Sequence, residues 1–447
     1  MFSFDVLREG FMFFIRIFTM MIQSLFMGLM EFRSIFPILL LVVLFMVKKQ
    51  YNRQMLMERR LFGISITNPT RQTITSLIFG FLGGLIGSIM LVFIGVDIAV
   101  VGLHFAWPIA ILLMLYNPRY MCFSYAGGIV GVASLLARGI LSLYGEIELT
   151  GIALQFVTIN LPGLMAVVGI LHLTESVLIY LSGAKGASPM FLKHNDKVVG
   201  GFTLQRFWPV PIVALVAAAI TTGEAAGGSI AMPNWWPLIN SNLTAPDGYT
   251  ITYIMFPIIA ALGYGDLALS THPKEKSKKT ALSLFLYSVS LVGLAVLAAF
   301  YPVVTVLPVL FAPLAHEFLI VVSNNREFKG EPLFVAPKEG IMVLSVIKGS
   351  VAEKMGIQSG YVITRVNGTY VEDETHFKEL LVALDTYAKF EIIDNNGSYR
   401  HVQAPLFGRR RQMGLIIIPK NPEHAVTMST ESPLENLWKK ITKEKAS

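Results

Sequence analysis

Long apolar runs separated by short polar loops fill the first 322 residues. They lie near 11–30, 34–48, 74–95, 98–116, 120–137, 158–182, 207–222, 249–264, 281–300 and 303–322. A helix needs about 20 apolar residues to cross a bilayer, so the pattern predicts nine or ten transmembrane helices. The count depends on the first run: Arg16 interrupts it, and its Phe and Met content suits a helix lying in the interface equally well. No small-residue cleavage site follows that run, which argues against a signal peptide. At Ser323 the pattern changes. The stretch SNNREFKGEPLFVAPKEG is polar and punctuated by Pro and Gly, and reads as a linker over 323–339. A soluble pattern occupies 340–419: a buried strand at 340–347, a short helical turn, a strand at 361–366, a helix at about 374–385, and strands at 389–394 and 399–404. Phe377, Leu380, Leu381 and Leu384 share the apolar side of that helix. The tail 420–447 is charged. Its segment 434–443 either forms a short amphipathic helix, with Leu434, Leu437, Trp438 and Ile441 on one face, or is unstructured.

Composition agrees with the membrane reading. Of 447 residues 54% are hydrophobic and 15% charged, with a mean hydropathy of +0.60; soluble domains carry about 25% charged residues. Cys122 is the single cysteine, so an intrachain disulfide is impossible. The net charge of +7 resembles a nucleic-acid signal until the charges are located. Lys48, Lys49, Arg53, Arg59 and Arg60 follow the second run, and Arg119 lies between the fourth and fifth. Lys185, Lys193, Lys197 and Arg206 mark 183–206, and Lys274, Lys276, Lys278 and Lys279 mark 265–280. All fall on one side if the runs alternate, and short basic loops mark the cytoplasmic side. The segment 223–248 has no Lys or Arg; it carries Glu224, Asp247, Trp235 and Trp236. Arg33 and Arg138 are the exceptions. This places everything after about 323 in the cytoplasm and the protein in the cytoplasmic membrane. It leaves no role for nucleic acid.

The string KGSVAEKMGIQSGYVITRVNG runs from Lys348 to Gly368. Gly356 ends a helical turn, because glycine reaches positive φ without a clash. Asn367-Gly368 is the two-residue hairpin signal. This Gly-Ser-x-Ala…Gly-x-x-x-Gly-Tyr-Val-Ile…Val-Asn-Gly framework resembles a PDZ domain of the bacterial HtrA-like type. The fold class expected is therefore a polytopic α-helical membrane domain (1–322) followed by a small α+β PDZ domain. PDZ domains bind extended or C-terminal peptides by adding a strand to a sheet edge, beside a loop of N–H groups that often reads Gly-Leu-Gly-Phe. Ala336–Gly340 matches that loop poorly, whereas Arg411-Gln-Met-Gly-Leu-Ile-Ile-Ile418 matches well. The resemblance implies a permuted arrangement, with the strand from Gly414 through Leu415, Ile416 and Ile417 to Ile418 receiving the peptide. Met413 and Gly414 would then lie in the carboxylate loop, and Arg409, Arg410 and Arg411 would supply positive potential. The alternative is a closing strand whose arginines touch anionic lipid.

A membrane domain joined to a PDZ domain raises the site-2-type intramembrane metalloprotease. Its HExxH motif needs two histidines on one helix face. Here His316-Glu317 is followed by Ile320 where the second histidine should stand, and no third-ligand motif accompanies it. No catalytic residue, metal or cofactor is therefore expected. Other ionisable groups lie inside the runs. His172 and Glu175 share a helix face, and His104 lies elsewhere. His172, Glu175, His316 and Glu317 are the candidate intramembrane polar site, either a functional pathway or hydrogen bonds that fix packing. The glycines of 80–87 and 127–131 suit close helix packing.

The strings MERRLFGI, RYMCFSYAGGIVG, GGFTLQRFWPVPI and PLAHEFLI…GEPLFVAPKEGIMVLSV resemble the MinJ-type family of Gram-positive bacteria, polytopic membrane proteins ending in a cytoplasmic PDZ domain. That resemblance implies a non-enzymatic adaptor in division-site placement that bridges a DivIVA-like scaffold and a MinD-like inhibitor. The rival readings are a degenerate protease or protease regulator, and a transporter or sensor using His172 and Glu175.

Overall fold

The computed structural model describes residues 4–31, 35–144, 149–194, 197–221, 230–241, 243–406 and 413–420. Nine helices occur before the PDZ region among them: α1 (Phe4–Met30), α2 (Ile35–Phe62), α3 (Pro69–Ile94), α4 (Leu103–Tyr116), α5 (Phe123–Tyr144), α6 (Gly151–Val157), α7 (Leu161–Ser182), α8 (Pro273–Phe300) and α9 (Val306–Lys329). Seven are long and apolar enough to cross a membrane: α1, α2, α3, α5, α7, α8 and α9. Start signals are local. Asn68 caps α3 by accepting from the Arg71 N–H, and Asn160 caps α7 by accepting from the Gly163 N–H, each with proline in the first turn. Helix α7 is the hub, buried along most of its length and packed on α3, α5, α8 and α9. The peripheral helices expose Phe45, Leu112, Leu136 and Phe318, as a lipid-facing surface requires.

Two of the expected spans are not helices. Residues 207–222 fall largely in strand β2 (Lys197–Thr221) and 249–264 in β3 (Tyr249–Ala268), after β1 (Ser188–His194). The expected span 98–116 yields only the shorter α4, of 14 residues, so the long helices number seven among the described residues, rather than nine or ten. Strands β2 and β3 pair antiparallel from Phe202↔Ala268 to Thr221↔Tyr249, and β1 extends the sheet beside the first residues of β2. Open strand edges are costly at membrane depth unless protein covers them. Here α3 covers one edge. Pro209, Pro211, Val213 and Leu215 alternate along β2 and turn their backbone polar groups to the same side. The prolines have no N–H to satisfy. Their carbonyls lie so close to α3 that a Cβ on Gly80 or Gly84 would stand 2.0 and 1.9 Å from the oxygens of Pro209 and Pro211. The Val213 N–H donates to Ser88 Oγ (2.8 Å), and the Leu215 carbonyl accepts from the Ile98 N–H (2.9 Å). Four residues of helix rise about 6.0 Å and two of strand about 6.6 Å, so the Gly80–Gly84–Ser88 stripe stays in step with alternate β2 residues. Helix α1 meets the other side of the hairpin: Ser24 Oγ donates to the Met255 carbonyl (3.2 Å), and Gly28 packs on Pro257. The glycines expected at helix–helix contacts thus divide. Gly80 and Gly84 receive a strand, whereas Gly83 meets Leu178 of α7 and Gly128 and Gly131 meet Pro313 and Val309 of α9.

Some loop cations are also internal. Arg206 is fully buried, donates to Gln72 and lies 5.8 Å from the Tyr51 ring. Lys276 is buried between Asp266 (3.4 Å) and Glu327 (3.6 Å) and donates to Ser323 Oγ (2.7 Å). Glu58 accepts from the N–H groups of Ile66 and Thr67 and the hydroxyls of Thr67 and Ser188. These networks tie the basic ends of α2 and α8 to the sheet.

Residues 323–329 continue α9, and β4 (Phe334–Val335) pairs with β2 at Val199 and Gly200. Beyond it lie β5 (Ile341–Val346), α10 (Val351–Lys354), β6 (Val362–Val366), β7 (Thr369–Tyr370), α11 (Glu374–Ala383), β8 (Tyr387–Ile393), β9 (Tyr399–Pro405) and β10 (Leu415–Ile417). The sheet order is β10-β5-β6-β8-β9, with β7 on β6. The turn signals act as the sequence requires: Gly356 has φ +76°, and Asn367 and Gly368 have φ +48° and +86°. Phe377, Leu384, Phe390, Ile392 and Ile363 fill the domain's core. The opposite face of β5 and β10 packs on the first sheet, where Leu344, Ile416 and Ile418 join one apolar cluster with Phe202 and Phe334. A Cβ on Gly200 would meet Leu344 at 2.7 Å and Ile418 at 3.2 Å. The PDZ region is therefore seated on the membrane domain.

Candidate functional site

The expected peptide strand is at an edge. β10 pairs with β5 alone among the described strands. The Gly414 carbonyl accepts from the Ile347 N–H (2.8 Å), and the Ile418 N–H donates to the Met342 carbonyl (3.0 Å). By strand alternation, Ile416 faces β5 and the backbone groups of Leu415 and Ile417 face away from it. Side chains also alternate. Ile416 and Ile418 are buried toward the membrane domain, whereas Met413 and Ile417 enter the PDZ core. Ile416 thus contributes no side chain to the PDZ-core face. Leu415 is half-buried on that core, together with Val346, Leu380 and Leu381. Before the strand, the Met413 carbonyl accepts from the Ala352 N–H (3.1 Å). Gly414 has φ +74°, and a Cβ there would stand 2.2 Å from that of Ser350. Only glycine fits this approach, which sets the loop against the start of α10. Arg409, Arg410 and Arg411, and the segment 434–443, lie outside the described residues.

The polar residues inside the helices converge elsewhere. His172 of α7 and His316 of α9 place their rings 5.1 Å apart. Between them stands Cys122, just before α5, with Sγ 3.1 Å from His172 Nε2 and 3.7 Å from His316 Nε2. His172 Nδ1 lies 2.7 Å from the Val168 carbonyl, which can only accept, so Nδ1 carries the proton. His316 Nδ1 lies 3.3 Å from Tyr125 Oη, which itself donates to Glu317 Oε2 at 2.6 Å. Tyr125 therefore accepts from His316 Nδ1–H. Arg119 pairs with the other Glu317 oxygen. Ser124 Oγ is 3.3 Å from His172 Nε2 and 2.7 Å from Tyr287 Oη, and Tyr287 donates to the Ala312 carbonyl (2.9 Å). His172, His316 and Glu317 thus belong to one network. Glu175 follows one turn along α7, within electrostatic reach of His172 and Cys122. His104 is exposed on α4.

Comparison with known proteins bears on the first site. A model of the PDZ domain matches residues 342–386, from β5 through α11. The cell division topological determinant MinJ of Bacillus subtilis (strain 168) is 24% identical over 374 residues, covering 83% of this chain and 90% of that protein. The chain resembles the MinJ type. It is a multi-pass membrane protein with a PDZ domain, and MinJ is its relative along most of its length.

In this MinJ-like chain the sequence reading found β10 but missed Cys122, Ser124, Tyr125 and Tyr287 as members of the polar network. A signal was available in the string RYMCFSYAGG, which places Arg119, Cys122, Ser124 and Tyr125 within seven residues at the mouth of an apolar run.

Proposed function

We propose that this chain is a non-enzymatic membrane adaptor for division-site placement, and that the open edge of β10 captures a peptide from its partner. The observation carrying the reading is a strand edge without a partner among the described strands, on a PDZ domain in a MinJ relative. A peptide adding to that edge would exchange hydrogen bonds with the backbone of Leu415 and Ile417, and its side chains would lie over Leu415, Leu380 and Leu381. The preceding loop, with Met413, Gly414 and Arg411, would take a terminal carboxylate. The PDZ domain faces the cytoplasm in this reading. With α4 bringing the chain back across after α3, and the hairpin of β2 and β3 going up and back as two helices would, the basic segments stay on one side. Resemblance to the MinJ type supports MinD-like and DivIVA-like division proteins as partners. Membrane confinement raises the local concentration of such contacts.

The test replaces the native gene with a Leu415→Asp variant and scores septum position. Misplaced septa at unchanged membrane abundance, matching the deletion strain, are expected. Normal septa in both the variant and the deletion strain would remove the division reading. Normal septa in the variant alone would move recruitment away from β10.

A further inference from the structure

The geometry points to a metal site inside the helix bundle: Cys122 Sγ, His172 Nε2 and His316 Nε2 form a three-ligand set for a divalent transition ion of the zinc class. The three ligand atoms lie within 4.8 Å of one another. Tetrahedral zinc, with bonds of about 2.3 Å to sulfur and about 2.05 Å to nitrogen, requires sulfur–nitrogen separations of about 3.6 Å. Of the two observed values, the 3.7 Å to His316 matches that separation, and the 3.1 Å to His172 is about 0.5 Å short of it, so an ion would move that pair slightly apart.

Proton placement carries the argument further. Both imidazoles hold their proton on Nδ1, His172 through Val168 and His316 through Tyr125. Each therefore aims an Nε2 lone pair at the same sulfur. The thiol has one proton and can satisfy one of them. Ser124 lies near His172 Nε2, but it is also within 2.7 Å of Tyr287, whose own proton is committed to Ala312. Its hydroxyl hydrogen serves Tyr287, the shorter contact. A cation in place of the thiol proton satisfies the thiolate and both lone pairs together. Backbone carbonyls and carboxylate-linked groups fixing the second imidazole nitrogen are the usual outer partners of metal-bound histidine. The chain supplies both kinds: Val168 for His172, and the Tyr125–Glu317–Arg119 relay for His316. Binding releases the thiol proton to solvent, and water completes the four-coordinate sphere. Because the ligands come from the start of α5, the middle of α7 and α9, an ion there would clamp three spans. No metal was expected from the sequence. Sequence spacing pairs His316 only with position 320 on its own helix, whereas the candidate ligands come from other elements.

The experiment uses the full chain, purified through a tag without histidine and held in lipid nanodiscs. Cobalt(II) is the probe. Cys122 is the single cysteine, so a thiolate-to-cobalt charge-transfer band reports this site and no other. One cobalt per chain is expected, with that band and the intense visible bands of tetrahedral cobalt, displaced by zinc. Cys122→Ser abolishes the band, His172→Gln and His316→Gln weaken binding tenfold or more, and His104→Gln changes nothing. Absence of the band on titrating the folded wild-type chain overturns the proposal and leaves a plain thiol–imidazole hydrogen-bond cluster. Unchanged affinity in the doubly substituted His172→Gln, His316→Gln chain also overturns it. The wild-type titration decides the matter even if a variant fails to fold.

Discussion

Gly84→Ala tests whether a strand, rather than a helix, lies against α3. The new Cβ would stand 1.9 Å from the Pro211 oxygen and 2.9 Å from its carbonyl carbon. Close carbon–oxygen contacts settle at about 3.3 Å, so helix and strand must part by about 1.4 Å. Overpacking of this kind costs about 1–3 kcal/mol. The upper end applies, because the obstacle is backbone held on its far side by β3. The displacement also strains the neighbouring Ser88–Val213 bond, worth about 1 kcal/mol. Against this stands a helix-propensity gain of about 1 kcal/mol for replacing glycine with alanine. The net is a loss of about 3 kcal/mol, or about a hundredfold in the folded fraction at 1.4 kcal/mol per decade. Gly139→Ala in α5 and Gly293→Ala in α8 are the controls, since nothing lies within 4 Å of a Cβ at either. Apparent melting temperatures of the three variants in nanodiscs provide the assay. Gly84→Ala should melt well below the wild type, and the controls at or above it. A Gly84→Ala chain as stable as the controls would refute the packing of α3 on β2.

Other predictions follow from single contacts. Ser88→Ala strands the Val213 N–H at membrane depth and should cost about 1–3 kcal/mol, seen as a lower melting temperature, with Ser88→Thr milder. Lys276→Met leaves Asp266 and Glu327 without their buried cation and should cost about 3–5 kcal/mol; adding Asp266→Asn and Glu327→Gln should restore most of the loss. Gly414→Ala, barred by φ +74° and by Ser350, should raise hydrogen exchange across 413–418 while leaving β8 and β9 protected. In a Cys122→Ser background, a membrane-impermeant maleimide added to intact cells should label Asp247→Cys and not Lys274→Cys; the reverse pattern would invert the topology.

Legibility followed the range of the forces involved. The PDZ turns were readable because Gly356, Asn367 and Gly368 are required by backbone conformation at their own positions. The spans of α3 and α7 were readable from hydropathy and marked by Asn68 and Asn160 as caps. The β2–β3 hairpin was not. A buried strand and a buried helix are both continuously apolar, and periodicity does not separate them. The signal lay in Pro209 and Pro211 two residues apart, which remove donors from one strand edge but would break a helix twice. Arg206 and Lys276 read as loop charges because their partners, Gln72 for one and Asp266 and Glu327 for the other, become neighbours only after folding. The polar cluster was hidden for the same reason: His172 and His316 lie 50 and 194 residues from Cys122. The face of β10 seated on the membrane domain through Ile416 and Ile418 depends on Gly200, which no pattern near the PDZ domain announces.

In the proposed function, the β10 edge recruits a division protein to the membrane. The most direct measurement is quantitative mass spectrometry of complexes captured from native membranes, comparing the full chain with its Leu415→Asp variant at equal abundance. Division proteins are expected on the wild-type chain, with at least a tenfold loss of them on the variant. Division proteins bound equally to both chains would contradict it, and recruitment would then belong to the membrane domain and its basic segments.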